Sequence, residues 1–143
     1  AHDMTVALLQ GQRLPTTALP MADHAAIRAY AVASGDDNPL HQDIEIARQA
    51  GFSDVLVPGL MIQGQMAEVL VKWLPDAQID ALEARFVLPV TAGTPLRLEG
   101  RVAALRADGV AILRLKAMLG AQVAVLGEAM IRQGQSGSAQ SDL

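Results

Sequence analysis

The sequence predicts an α+β domain, with helices in its first half and an antiparallel sheet in its second. Three observations lead there. Apolar residues recur at helical spacing between residues 23 and 75. From residue 78 the pattern shortens toward the two-residue alternation of half-buried strands. Glycines mark two joins between consecutive strand-like runs, at Asp108-Gly109 and Gly120-Ala121. Strands that succeed one another through short turns pair antiparallel, whereas a parallel sheet needs a helical crossover between each pair.

Residues 1–21 hold an apolar stretch, MTVALLQGQRL, followed by Pro15 and Pro20, and read as a strand or an extended arm. DHAAIRAYAVASG opens on Asp23, whose carboxylate can accept from the free N–H groups of a first helical turn. It carries Ile27, Tyr30, Val32 and Ala33 as a partial apolar stripe and stops at Gly35. DIEIARQAG repeats that logic with Asp43 as cap, Ile46, Ala47 and Ala50 on one side, and Gly51 at the end. The longest helix candidate is GLMIQGQMAEVLVKWLP, residues 59–75. Leu60, Met61, Gly64, Met66, Ala67, Leu70, Val71 and Leu74 cover most of its circumference and Pro75 terminates it, so it is expected to be largely buried.

Four alternating runs follow: ALEARFVLPV, PLRLEGRVAALRA, GVAILRLKAML and AQVAVLGEAMIR. Asp-Gly between two of them is a short-hairpin signal. The buried helix is the natural filling for the concave face of the sheet they form. Residues 1–133 then make one domain, and the small, polar residues 134–143, GQSGSAQSDL, are expected to be disordered.

Composition narrows the function classes. A chain of 143 residues fits one domain with one core, and with 51% hydrophobic but only 3% aromatic residues that core is aliphatic. A formal charge of -4, with no Lys/Arg run, argues against a nucleic-acid partner. The absence of cysteine excludes a disulfide framework, a thiol nucleophile and Cys-ligated metal. No apolar run approaches the roughly 20 residues that span a bilayer, so no membrane partner is expected, and the chain reads as cytoplasmic.

Between the first two helices lies SGDDNPLH, residues 34–41. Pro39 restricts its own φ and the conformation of Asn38, so the helix cannot continue, and a compact turn can bring Asp36 and His41 to one water. A carboxyl and an imidazole that together take one proton and deliver another suit the addition or removal of water across a double bond. The alternative is a polar loop holding a structural histidine. Ser34, Asp37 and Asn38 read as turn formers. A second candidate, LVPGLM, residues 56–61, precedes the long helix. N–H groups at its start can hold a developing oxyanion and Gly59 permits close approach, although a glycine needed only for tight helix entry would look the same. Pro58 has no N–H, so a donor must come from Gly59 or beyond.

YAVASGDDNPLHQDIEIARQAGF, then VPGLM, then ARFVLPVTAGTPLRLEGRV resemble the MaoC-like dehydratase family, which includes (R)-specific enoyl-CoA hydratases and (3R)-hydroxyacyl-thioester dehydratases. The resemblance spans roughly residues 23–105. It rests on the D-x-N-P-[IL]-H core, matched by Asp36, Asn38, Pro39, Leu40 and His41, and on the strand signature in RFVLPVTAGTPL. It implies a single hot-dog fold, an antiparallel sheet wrapped around one long helix, and a pairing of two such folds, as a homodimer or with another hot-dog chain. It places the catalytic acid at Asp36 and the base at His41. The oxyanion donor falls on the Gly59 backbone N–H, with Asn38 and Leu60 as substrate-facing positions. The implied reaction is reversible hydration of trans-2-enoyl thioesters of CoA or acyl-carrier protein to (3R)-hydroxyacyl thioesters, with no metal and no other cofactor. Where the family commonly has His-Gly-Met or His-Gly-Leu, this chain has Pro58-Gly59-Leu60, a departure that bears on substrate orientation. A non-catalytic acyl-binding hot-dog subunit and a hot-dog thioesterase are the rival readings. Leu60, Ile62, Met66 and Leu70 stand where they line an acyl tunnel or simply form core.

Overall fold

The computed structural model describes residues 7–133; residues 1–6, and the polar stretch 134–143 expected to be disordered, lie outside the described residues. The elements run β1 (Arg13–Ala18), α1 (His24–Ser34), a 3₁₀ turn (Pro39–His41), α2 (Ile44–Gln49), α3 (Gly59–Trp73), β2 (Gln78–Phe86), β3 (Arg97–Leu105), β4 (Val110–Leu119) and β5 (Gln122–Arg132). The strands form one sheet in the order β1-β3-β4-β5-β2, every pair antiparallel. This is the α+β, hot-dog arrangement, with α3 laid on the inner face.

Local chemistry sets the helix ends where the sequence places them. Asp23 accepts from Ala26 N–H at 2.8 Å, and Gly35 closes α1 in the left-handed region at φ 74° with its N–H on the Ala31 carbonyl. Asp43 caps α2 by accepting from Glu45 and Ile46. The hairpins differ from expectation. Asp108-Gly109 belongs to a four-residue loop, residues 106–109, in which Arg106 N–H donates to the Val110 carbonyl at 2.8 Å and the Asp108 side chain accepts from Val110 N–H. The two-residue turn is Gly120-Ala121, between the paired Leu119 and Gln122, where Gly120 supplies φ 61°.

The core lies between α3 and the sheet. Ile62, Met66, Val69 and Leu70 are buried along one side of the helix, and Leu98, Val102, Leu113, Leu115, Val125, Ala129 and Ile131 face them from the strands. Two inward-facing glycines let the layers close: a Cβ at Gly127 would stand 2.8 Å from Met66 Cε, and one at Gly100 would stand 3.0 Å from Leu115 Cδ2 and from the Trp73 ring. Trp73 Nε1–H also donates to Thr17 Oγ1 at 2.9 Å, tying the end of α3 to β1. The helix is less buried than the largely buried element its sequence predicts. Leu60 is 68% exposed and Val71 53% exposed, because one sheet face covers one stripe of a helix and no described residue covers these two positions on the other.

Candidate functional site

The turn after α1 is built by side chains bonding nearby backbone. Asp36 N–H donates to Ser34 Oγ at 3.2 Å, Asn38 N–H to Asp36 Oδ1 at 3.0 Å, and Leu40 N–H to Asn38 Oδ1 at 3.0 Å, with Pro39 opening the 3₁₀ turn. Gln42 Nε2–H adds a bond to the Asp36 carbonyl at 3.1 Å. These contacts fold the five-residue separation back on itself. His41 Nε2 and Asp36 Oδ2 end 3.9 Å apart, with the histidine side chain 14% and the aspartate 36% exposed. That gap is too long for a direct hydrogen bond. Asp36 uses its two oxygens differently: Oδ1 is committed to Asn38 N–H, and Oδ2 faces the imidazole.

The other ring nitrogen of His41 lies 2.8 Å from the Leu56 carbonyl oxygen. A carbonyl only accepts, so Nδ1 carries the hydrogen, and neutral His41 presents an unprotonated Nε2 toward Asp36. Leu56 is itself held from both sides. Its N–H donates to the Leu40 carbonyl at 2.9 Å, it bridges Thr91, and the flanking Val57 N–H donates to Val90 O at 2.7 Å. Residue 56 was silent in the sequence because its contribution is a backbone oxygen that any side chain would carry.

Two residues past Val57, α3 begins at Gly59. Pro58 occupies the cap position without a side-chain hydrogen bond, and its carbonyl accepts from Met61 and Ile62 N–H. The N–H groups of Gly59 and Leu60 have no acceptor among the described residues, as expected for the first turn of a helix. Gly59 does not face open space. A Cβ there would stand 2.9 Å from Phe86 Cζ, so the tip of the Phe86 ring rests on the glycine. Phe86 ends β2 opposite Val125 and is 46% exposed. The strand signature contains Phe86 but gives it no role at the site, since only the tertiary fold sets it against α3.

The turn and the helix start therefore supply three things: an imidazole whose Nε2 is left free of the Leu56 bond, a carboxyl oxygen beside it, and donor N–H groups at the positive end of a helix. Asn38, a substrate-facing position by resemblance, spends its side-chain oxygen on Leu40 N–H. Leu60 projects outward. Asp37 is exposed and outside the pair.

The MaoC like domain family model matches residues 5–111. A mitochondrial 3-hydroxyacyl-[acyl-carrier-protein] dehydratase of Solanum lycopersicum is 32% identical over 80 residues, covering 56% of this chain and 48% of that protein. The corresponding Arabidopsis thaliana enzyme is covered over 40% of its length, so the chain spans less than half of these two curated relatives. An (R)-specific enoyl-CoA hydratase of Aeromonas caviae is 33% identical over 112 residues, 76% of this chain and 84% of that protein. Among solved structures, the (R)-hydratase from A. caviae involved in PHA biosynthesis superposes with a TM-score of 0.80 at 30% identity, covering 89% of this chain and 98% of that one.

Proposed function

This chain belongs to the family of MaoC-like domains, and from that premise we propose that it hydrates trans-2-enoyl thioesters reversibly to (3R)-hydroxyacyl thioesters. Hydratase and dehydratase relatives support water addition and removal at the level of the family. The observation that carries the finer reading is the 3.9 Å separation of Asp36 Oδ2 and His41 Nε2, with the opposite nitrogen of the ring tied to Leu56. One water fits between two such acceptors. In the hydration direction His41 Nε2 takes a proton from that water as its oxygen bonds C3. Asp36 orients the water, receives that proton from His41 and delivers it to C2, so both groups end the turnover as they began. The Gly59 N–H receives the negative charge that develops on the thioester oxygen. The 3R configuration is carried by the family resemblance.

The chain acts as a dimer on this reading. Among the described residues the sheet has two edges. β1 is short, contains Pro15 and slips register between Leu14 and Thr17, which blunts it, whereas β2 runs nine residues and pairs only with β5. Half-exposed Phe86 and Val87 and exposed Leu60 mark the end of that strand beside the site. A second copy joined along β2 covers them; a different hot-dog chain there is the alternative, and light scattering of the pure chain at micromolar concentration decides between them. Incubation with crotonyl-CoA tests the chemistry. Loss of enoyl absorbance without release of thiol is the expected result. Thiol release would make the protein a thioesterase, and no reaction with any enoyl thioester would leave a non-catalytic acyl-binding subunit.

A further inference from the structure

The outer face of the sheet carries an arrangement of charge that neither the core nor the candidate site uses. Cα register aligns Arg13 with Arg101, Arg101 with Arg114, Arg114 with Glu128, and Glu128 with Glu83. Directly paired residues share a face, so three arginines stand abreast across β1, β3 and β4. Like charges placed directly opposite one another destabilise a sheet, and no acid interleaves these three. Among the described residues Arg114 pairs with Glu128 alone, at 3.9 Å. Arg13, Arg101 and the neighbouring Lys116 form no ion pair among the described residues. All of them line one shallow hollow of about 640 Å³ across the middle strands, with five cationic and three acidic side chains around it, on a chain whose formal charge is -4.

We propose that this arginine row is the docking surface for an acidic acyl-carrier protein, so that the thioester reaches the site on a protein carrier. The inference rests on the hydratase reading above and names its substrate carrier. The face is open and charged, unlike the enclosed, mainly apolar clefts that hold small molecules, and five strands at about 4.8 Å spacing give it a width of about 19 Å. That is the footprint of a macromolecule. No aromatic side chain lines it to stack on bases, and acids interrupt the cations, Glu83 on β2, Glu128 on β5 and Glu99 on β3 opposite Lys116, which disfavours a nucleic acid and favours a partner with its own charge pattern. At the end of β2 the two faces of the sheet are one residue apart: Arg85 lines the hollow, and Phe86, on the other face, rests on Gly59.

The test compares wild type with Arg101→Glu/Arg114→Glu, and with the milder Arg101→Gln/Arg114→Gln, using the full chain with melting curves to establish folding. Two substrates are assayed, crotonyl-CoA and a crotonyl group loaded on purified bacterial acyl-carrier protein. Wild type is also titrated with unloaded holo-carrier protein at two salt concentrations. The expected result is a KM for the carrier substrate raised about tenfold or more in the glutamate variant and less in the glutamine variant. Constants for crotonyl-CoA should stay within about twofold, and wild-type binding should weaken with salt. Equal effects on both substrates, no effect on either, or no wild-type binding of the carrier overturns the proposal. So does a DNA oligonucleotide that binds as tightly as the carrier, or a change confined to self-association. Failure of wild type to turn over either thioester would remove the hydratase reading alone, since the titration still decides the docking surface.

Discussion

His41 Nδ1 and the carbonyl oxygen of Leu56 lie 2.8 Å apart, joining a residue of the first turn to one fifteen positions later. This bond fixes which imidazole nitrogen holds the hydrogen, and with it the direction in which the ring can accept a proton. Because the acceptor is backbone, substitutions of the Leu56 side chain leave the tautomer in place.

Removing either member of the pair is expected to lower turnover by roughly 10²- to 10⁴-fold. Asp36→Asn is the cleaner variant, since an amide oxygen can still accept from Asn38 N–H and preserve the turn. His41→Ala should behave alike, and the double variant should be little worse than the worse single, because groups that act on one water do not add. Asp37→Asn, outside the pair, should change turnover little. Initial rates of crotonyl-CoA hydration, with melts alongside, measure all four. A folded His41→Ala at wild-type rate would reduce SGDDNPLH to a polar loop.

Gly59 and Phe86 should be coupled. Gly59→Ala sets a methyl 2.9 Å from the Phe86 ring, so either the ring or the start of α3 must shift, and overpacking of this kind costs about 1–3 kcal/mol. We expect lost turnover and a lowered melting temperature. Gly59→Ala/Phe86→Ala should recover part of both, and additive losses in the double variant would show that the contact does not constrain position 59.

His24 Nε2 lies 2.8 Å from Asp54 Oδ1, linking the first residue of α1 to the segment that leads to Leu56. The hydrogen bond from His24, joined by that from Val55 N–H, holds the Asp54 carboxyl below its ordinary range against a smaller opposing effect of desolvation. A depressed carboxylate pKa stabilises the fold above the unfolded value and loses that contribution as pH falls through the folded value. Asp54→Asn keeps the acceptor and removes the charge. It should lower stability by no more than about 1 kcal/mol, as for other partly exposed pairs. The difference in melting temperature from wild type should persist down to about pH 4 and shrink below it. A difference that grows on acidification would contradict this assignment.

Met66, fully buried over Gly127, is placed as core and not as the wall of an open tunnel. Met66→Ala should cost about 2–5 kcal/mol in urea unfolding, the range for large-to-small changes in a packed interior. A loss below about 0.5 kcal/mol would mean that the side chain borders open space, since surface changes stay within that limit.

Much of this protein is legible in its sequence where the deciding contacts are local. Asp23 and Gly35 bound α1, Asp43 caps α2, and Asn38 with Pro39 makes the turn that carries Asp36 toward His41. Each needs only neighbours within a few residues, so residue type and spacing suffice. The alternating strands and the antiparallel pairs β3-β4 and β4-β5 follow in the same way, although the Asp108-Gly109 loop proved longer than its dipeptide suggests because Arg106 closes it through Val110.

What the sequence by itself determined was the α+β class, the order of the elements and the residue types of the candidate site. The tertiary structure decided the rest: that the Leu56 carbonyl orients His41, that Phe86 stands on Gly59, that α3 buries one side only, and that three arginines from three strands lie abreast. These depend on strand register and on the approach of segments distant in the chain. Alternation in a strand fixes which residues share a face of that strand, but only the pairing fixes who stands opposite whom.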